Sequence, residues 1–370
     1  KRNATRPHHN VLSWIPPGGP LMDFSLTSDQ NELRALARQI LTDVCTPEHL
    51  KQIGATESAT DLALWRTLAD AGLVGIGLPE SVGGAGLGII ETSVVLEEIG
   101  RVAAPVPAFA VMGLAANALV AYPELLEGVA SGETIVTAAL HEAVGDVFNP
   151  ATVVVDGKIT GTKVCVPHGL IAKRFVVSAA DGLYCVEAND PNVTITRQDT
   201  TSGVPDALVE FKNATVKCLG NPGATAELIN RGIAAACIMT SGACQSALAL
   251  MAEYAKGRFQ FEKAIATFQA VSQRAGDAYI DTEGVRLTAW QAAWRLSEGL
   301  PADEALLSAK FWAAEGGWRV MHGSHHVHGG VGVDRDYPLH RYFLLHKQLE
   351  LQLGSTQPSL ARLGQILVNS

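Results

Sequence analysis

The pattern of hydrophobic residues changes twice along the chain, and this constrains the fold more than any other sequence feature. Before about residue 130, apolar residues recur at helical spacing. A segment over 134–220 instead carries short runs rich in β-branched residues, such as Ala151–Val155 and Val193–Thr196. Long helical patterns then return at about 225–257, 266–298 and 302–324, with two shorter helices in 337–368. We therefore predict an α+β protein with an N-terminal helical domain (22–130), a middle antiparallel β domain (131–221) and a C-terminal helical domain (222–370).

Local signals sharpen this prediction. Thr27 and Gln30 have the spacing of a capping box at the start of the first helix. Further helices are predicted near 60–73, 90–99 and 107–130, separated by the glycine-rich segment 79–88. Asp156-Gly157 predicts a hairpin turn. One buried stripe on the first helix is predicted from its apolar spacing: Leu33, Leu36, Ala37, Ile40, Leu41 and Val44.

Composition excludes several classes of function. The chain has a formal net charge of -9 and no block of five like charges, so we expect no nucleic-acid partner. No uninterrupted apolar run reaches the length of a membrane span, so we expect no membrane insertion. The six cysteines form no C-x-x-C pair and are expected to be free thiols in a soluble, cytoplasmic protein. Residues 1–21, rich in Pro, Gly and His, are interpreted as a tag, an upstream extension or a disordered tail.

Several common site motifs are missing from the sequence. There is no G-x-G-x-x-G placed between a strand and a helix, no P-loop, no G-x-S-x-G and no H-E-x-x-H. His322, His325, His326 and His328 could share a helix face and bind a metal. No acidic or cysteine ligand stands beside them, so we interpret them as a polar helix end and predict no metal site.

Two segments carry the positive information. Arg258 opens the stretch 258–269, where a guanidinium can hold a phosphate through paired hydrogen bonds and Phe261 and Phe268 offer apolar walls. The stretch 326–332 contains Gly329, Gly330 and Gly332, and glycines let backbone N–H groups approach a ligand closely.

At this spacing the two segments resemble the acyl-CoA dehydrogenase family, which has R-x-x-F, an aromatic-glutamine pair and Q-x-x-G-G-x-G. His326 replaces the family glutamine, while Tyr337-Pro338, Arg341 and the turn at 79–86 are also similar. The resemblance spans nearly all of 22–370 and implies a C-terminal four-helix bundle and an FAD cofactor lying across a subunit interface. The residues it implies as cofactor contacts are Arg258, Gln260, Phe261, Ile265, Phe268, Gln269, His326, Gly329 and Gly330.

The resemblance fails at the catalytic base. The family places its glutamate at one of two positions, which correspond here to Leu353 and Gly232, and neither residue can take a proton. The family's flavin-ring motifs are also eroded, at His141–Asp146 and at Cys165–Pro167, although Thr162-Lys163 is kept. No residue of this chain is therefore predicted to be catalytic.

The chain thus keeps the motifs of the adenosine side and lacks those of the flavin side and the base. In this it resembles the subunit without a base in the α2β2 acyl-CoA dehydrogenases of steroid side-chain degradation in actinobacteria. That resemblance implies a homologous partner subunit carrying the catalytic glutamate, a steroid acyl-CoA substrate and electron-transfer flavoprotein as the oxidant. Two alternatives stay open: a self-sufficient homo-oligomer with a base relocated to Glu227 or Glu350, and a non-catalytic binding protein on this fold.

Overall fold

A computed structural model describes residues 22–369, so the interpretation of 1–21 lies outside the described residues. The first region is helical, with short 3-10 turns at Glu80–Val82 and Pro123–Leu125 and a π-helical stretch at Phe109–Ala115. The prediction of a helix over 107–130 is wrong beyond Ala118, where the helix ends. The chain beyond it does not suit a helix, because Pro123 lacks a backbone N–H and Gly128 adopts a φ of 77°. The helices are α1 (Ser28–Val44), α2 (Pro47–Gly54), α3 (Leu62–Asp70), α4 (Ile89–Arg101) and α5 (Ala116–Ala118).

The capping box of α1 is confirmed. The Gln30 backbone N–H donates to the Thr27 hydroxyl at 3.3 Å, and the Thr27 N–H donates to the Gln30 side chain at 3.0 Å. The predicted stripe is partly wrong, since Leu36 is 42% exposed while Ala37 and Leu41 are fully buried. A helix buries only the arc that faces its neighbour, here α4, and Leu36 lies at the margin of that arc.

The middle region contains two four-stranded sheets, ordered β1-β4-β5-β8 and β2-β3-β7-β6. The hairpin at Asp156-Gly157 is confirmed, because Val155 pairs with Lys158 and both turn residues have positive φ. The prediction of a wholly antiparallel domain is wrong at β1, which runs parallel to β4; β2 and β3 lie in the other sheet and provide the crossover that parallel pairing requires. The strands are β1 (Val136–Ala139), β2 (Val153–Val155), β3 (Lys158–Val166), β4 (Arg174–Ala179), β5 (Gly182–Glu187), β6 (Val193–Gln198), β7 (Asp206–Thr215) and β8 (Lys217–Gly220).

The last region is built around one long helix, which packs against α4 and most of the following helices. A π-helical stretch at Trp312–Gly316 and a 3-10 turn at Gly329–Val333 interrupt the succession of α-helices in this region. The elements are α6 (Pro222–Gly257), the two-residue strands β9 (Phe259–Gln260) and β10 (Lys263–Ala264), α7 (Gln269–Ser297), α8 (Asp303–Phe311), α9 (Gly317–His328), α10 (Leu339–Leu351) and α11 (Thr356–Asn369).

Helix α6 meets the length and hydropathy of a membrane span, which the search for uninterrupted apolar runs did not detect. Its most apolar window is 72% buried within the protein, as in the central helix of a packed domain. Cys237 and Cys244 on this helix are buried, and all six cysteines are free thiols.

Three hydrophobic clusters hold the regions together. The largest joins α1, α3 and α4 to the first sheet and to α6, so the helical regions and that sheet share one core. The second lies between the two sheets, where the rings of Phe175 and Phe211 meet edge to face at 6.3 Å. The third lies between α6, α9 and α10 and includes Met251, Met321 and Leu339.

Candidate functional site

The segment after α6 forms a small exposed hairpin. The Arg258 N–H donates to the Tyr254 carbonyl at 2.9 Å and ends the helix, and Gln260 then pairs with Lys263 across the turn. Phe261 and Glu262 occupy the turn with φ of 50° and 66°. This conformation pushes Phe261 outward, so that its side chain is 85% exposed, with one edge against the Phe268 ring at 6.3 Å.

The polar residues of this hairpin face solvent. Arg258 is exposed, and no carboxylate in the described chain forms an ion pair with it, so its guanidinium is free to bind an anion. Gln269 is the first residue of α7, where free backbone N–H groups also favour negative charge. Of the other predicted contacts, Ile265 is half-buried and the Gln260 amide donates to the Phe259 carbonyl.

Gly329 and Gly330 follow α9 and are exposed to solvent, whereas Gly332 is buried. Gly329 ends the helix with φ of 58°, a conformation that favours glycine. A Cβ atom placed on Gly329 or Gly330 would touch nothing within 4 Å, so the packing of this chain does not require these residues to be small. The bare backbone therefore leaves room for a ligand. His326 lies beside it on the surface.

Buried aromatic packing joins the two segments. The His328 ring stacks on Tyr254, at the end of α6, with ring centres 4.4 Å apart. Its Nδ1–H donates to the Ser324 carbonyl at 2.7 Å, so Nε2 accepts from the Tyr337 hydroxyl at 3.0 Å. The structure thus brings 258–269 and 326–332 to one end of the C-terminal helices, and we call this surface the exposed edge.

The remaining histidines of the predicted cluster pack against aromatic rings. His322 lies 4.3 Å from the Trp318 ring and 5.2 Å from the Phe343 ring, and His325 lies 5.0 Å from Phe343. Within residues 22–369, no three His, Cys, Asp or Glu side chains are placed to share a metal ion.

The two positions of the family glutamate meet inside the protein. Gly232 is buried on α6, and Leu353, 3% exposed, follows α10. A Cβ atom on Gly232 would lie 2.6 Å from Leu353 Cδ1 and 2.4 Å from Leu114 Cδ2. The place where the family holds its base is therefore packed with aliphatic carbon.

The predicted base position at Leu353 is hydrogen-bonded to the segment at His141–Asp146. The Leu353 N–H donates to His141 Nε2 at 3.3 Å, and burial lowers the pKa of His141, which favours the neutral ring that can accept this bond. Burial alone would raise the pKa of Glu142, but hydrogen bonds from Lys163 and Thr152 outweigh it and lower the pKa to about 2. The segments at 141–142 and 353 thus lie in direct contact.

Sequence reasoning missed a cavity of about 440 Å³. It lies between α2, the turn at 103–106, the loops at 167–168 and 202–204, α6 and α10. These segments are distant in the sequence, so no local motif marks the cavity.

Two family models and a relative of known family match this chain. Residues 27–128 match the model of the acyl-CoA dehydrogenase N-terminal domain, and residues 223–367 match that of the C-terminal domain. The chain is 39% identical over 373 residues to acyl-CoA dehydrogenase FadE27 of Mycobacterium tuberculosis, covering 94% of this chain and all of the relative (100%).

Two solved structures also match this chain over nearly its full length. The ChsE4-ChsE5 complex from Mycobacterium tuberculosis matches with a TM-score of 0.89 at 38% identity, over 94% of this chain and 100% of the other. A single-residue variant of the Tcur3481-Tcur3483 steroid ACAD matches with a TM-score of 0.88 at 40% identity, over 92% and 98%. The predicted fold class and family are confirmed: the chain belongs to the acyl-CoA dehydrogenase family.

Proposed function

We propose that this chain is the subunit without a catalytic base in a heteromeric, FAD-dependent acyl-CoA dehydrogenase of the cytoplasm. A homologous partner subunit supplies the flavin-ring pocket and the glutamate, in an α2β2 assembly. The reaction removes two hydrogens across the α,β bond of an acyl-CoA thioester, with a steroid side-chain ester as substrate. Electron-transfer flavoprotein reoxidises the flavin.

The observation that carries this proposal is the contrast between the two halves of the site. The exposed edge offers Arg258, which forms no ion pair within residues 22–369, together with an exposed Phe261 and an open glycine backbone, and these fit a pyrophosphate and an adenosine. The inner half offers Leu353 against Gly232, which does not fit a base, and Cys165 and Pro167 where the family's flavin-ring motif has an aromatic and a hydroxyl residue. A chain that can hold only one end of the cofactor needs a second chain for the other.

The relatives support the heteromer. ChsE4-ChsE5 is a complex, and Tcur3481-Tcur3483 is a steroid acyl-CoA dehydrogenase whose name joins two components. Both match this chain at 38–40% identity over almost its full length.

The residues of this chain would act on binding and orientation. FAD, when bound, supplies the acceptor for the β-hydride. Arg258 would pair with the pyrophosphate, Phe261 and Phe268 would pack against the adenosine end, and the N–H groups near Gly329 would donate to phosphate oxygens. Since none of these residues exchanges a proton with substrate, proton removal falls to the partner.

A self-sufficient enzyme with a relocated base finds little support in the geometry. Glu227 has a side chain that is 68% exposed and pairs with Arg231 at 3.3 Å, one turn away on the surface of α6. Glu350 pairs with Lys347 at 2.5 Å. Both carboxylates form ion pairs with neighbouring side chains, and neither occupies the position of Gly232 or Leu353.

The direct test is flavin absorbance of the chain purified alone and of the chain co-purified with its partner. We expect no flavin on the single chain and about one FAD per heterodimer in the complex. One FAD per chain, with acyl-CoA dehydrogenation by the chain alone, would contradict the proposal and favour the self-sufficient enzyme. A single chain that binds acyl-CoA without flavin, and whose presence changes no partner activity, would favour the non-catalytic binding protein.

A further inference from the structure

Three aromatic rings meet beneath the exposed edge. His328, which is 2% exposed, stacks its ring on Tyr254 with ring centres 4.4 Å apart. The Tyr337 ring lies 5.1 Å from His328 and 6.5 Å from Tyr254. The rings come from three separate elements, namely the end of α6, the end of α9 and the segment before α10. We call this group the ring cluster.

Hydrogen bonds fix the ring cluster in one arrangement. His328 donates through Nδ1 to the Ser324 carbonyl and accepts at Nε2 from the Tyr337 hydroxyl, so both ring nitrogens are used. The buried residues of the hydrophobic cluster between α6, α9 and α10 are otherwise aliphatic or sulfur-containing. An apolar side chain at position 328 would therefore meet the needs of burial, whereas a fully bonded polar ring specifies a single position.

One side of the ring cluster carries Arg258. The Tyr254 carbonyl accepts the Arg258 N–H at 2.9 Å, so the residue that stacks on His328 also holds the start of the hairpin. The Arg258 carbonyl in turn accepts the Ile265 N–H at 2.8 Å, which closes the hairpin. The position of Tyr254 thus sets the point from which the Arg258 side chain extends.

The other side of the ring cluster carries the glycine segment. Gly329 follows His328 directly, and its N–H donates to the His325 carbonyl. Gly332 folds back against the same histidine, because a Cβ atom on Gly332 would lie 3.3 Å from His328 Cβ, closer than side chains normally pack. Gly332 is therefore required by packing on His328, and the backbone at 329–330 lies between two contacts with that residue.

We infer that His328 is a positioning residue for a nucleotide diphosphate bound at the exposed edge. Because it is buried, it acts without touching the ligand, by setting the distance between the Arg258 guanidinium and the backbone of Gly329 and Gly330. A diphosphate carries two charged groups, so it binds best when both of its contacts are already held at the right spacing. The inference rests on the proposed function, in which FAD supplies the diphosphate.

The test measures the affinity of the cofactor-free complex for FAD and for FMN, by quenching of flavin fluorescence. FMN lacks the adenosine monophosphate half of FAD, so its binding does not report on the exposed edge. Tyr337→Phe removes only the hydroxyl that bonds to His328. Tyr342→Phe is the matched control, because the Tyr342 hydroxyl on α10 bonds instead to Ser246.

We expect Tyr337→Phe to weaken FAD binding about threefold to tenfold and to leave FMN binding unchanged. His328→Leu, which removes both hydrogen bonds and the stacked ring, should weaken FAD binding about tenfold or more. Tyr342→Phe should change the affinity for neither flavin. A purely structural role of the ring cluster would instead lower the affinity for both flavins alike, and that result would overturn the inference.

A double-variant cycle determines whether the ring cluster acts through Arg258. In the Arg258→Ala background the loss of FAD affinity caused by Tyr337→Phe should shrink, because the side chain that is being positioned is gone. Additive losses would overturn the inference. A wild-type preference for FAD over FMN that Arg258→Ala lowers and Tyr337→Phe leaves unchanged would overturn this inference alone. A wild-type complex that binds FAD no more tightly than FMN would contradict the proposed function and this inference together.

Discussion

Gly232 and Leu353 are in contact across the core, although they lie far apart in the sequence, and they are the two positions at which the sequence predicts the family's glutamate. The absence of a side chain on Gly232 makes room for the Leu353 methyl group. Leu353 holds φ of 58°, a conformation that is strained for leucine and is maintained by the surrounding packing. The two positions are thus coupled, and their chemistry is that of a hydrophobic core.

This contact predicts an energetic coupling. Gly232→Ala should lower the free energy of unfolding by about 1–3 kcal/mol, because the new methyl group overlaps Leu114 and Leu353. Leu353→Ala should lower it by about 2–5 kcal/mol through lost burial. The double variant should lose less than the sum of the two, by about 0.5–3 kcal/mol, in urea denaturation. Gly257→Ala, on the same helix with nothing within 4 Å, serves as the control and should cost nothing comparable. Strict additivity would argue against the contact.

Restoring a glutamate should not restore a dehydrogenase. Gly232→Glu or Leu353→Glu places a carboxylate among buried aliphatic side chains, where burial raises its pKa and destabilises the fold. Neither change would restore the aromatic and hydroxyl residues that Cys165 and Pro167 replace in the flavin-ring motif. We expect neither variant alone to reduce a dye acceptor with acyl-CoA. Turnover by either would show that the middle region can still hold a flavin.

Arg258→Ala should reduce the FAD content of the assembled complex. The loss of one charged hydrogen-bond donor to the pyrophosphate corresponds to about 10- to 100-fold weaker cofactor binding. Lys256→Ala is the matched control, since Lys256 is also exposed and pairs with Glu253 at 2.8 Å. Both variants should melt like the wild type without cofactor. Equal flavin absorbance for the two complexes would remove Arg258 from the site.

Asp206 predicts a pH-dependent change in stability. The residue is 3% exposed, its Oδ1 has no hydrogen-bond partner in the described chain, and burial raises its pKa to about 6. The folded state therefore binds this proton more tightly than the unfolded state, whose pKa is near 3.8, and stability falls as the pH rises from 3.8 to about 6.

Asp206→Asn should accordingly raise the free energy of unfolding by about 1–3 kcal/mol at neutral pH. The gain should shrink as the pH is lowered through about 6 towards about 4, where the wild-type carboxyl is protonated in the folded state and about half protonated in the unfolded state. Urea titrations at several pH values measure it. Asp199→Asn, at a side chain 82% exposed, should change stability by no more than about 0.5 kcal/mol. A gain that did not vary with pH would point to a cause other than this ionisation.

Local rules in the sequence determined many elements of this protein. The Thr27–Gln30 cap, the Asp156-Gly157 turn and the helices of the last region depend on neighbours a few residues away, and the structure confirms each of them. The spacing of 258–269 and 326–332 was sufficient to identify the family. The same spacing assigned the family's two glutamate positions to Leu353 and Gly232, neither of which is acidic, and this assignment stays a prediction.

Only the tertiary structure decided the relationships between distant segments. Residues far apart in the sequence meet in the parallel pairing of β1 with β4, in the contact of Gly232 with Leu353 and in the bond from Leu353 to His141, and periodicity does not reveal such meetings. The exposure of Leu36 likewise depends on which face of α1 meets α4. The cavity between α2 and α10 arises in the same way, from elements that lie far apart in the sequence. Periodicity and turn chemistry act over a few residues, whereas packing depends on which faces meet once the chain has folded.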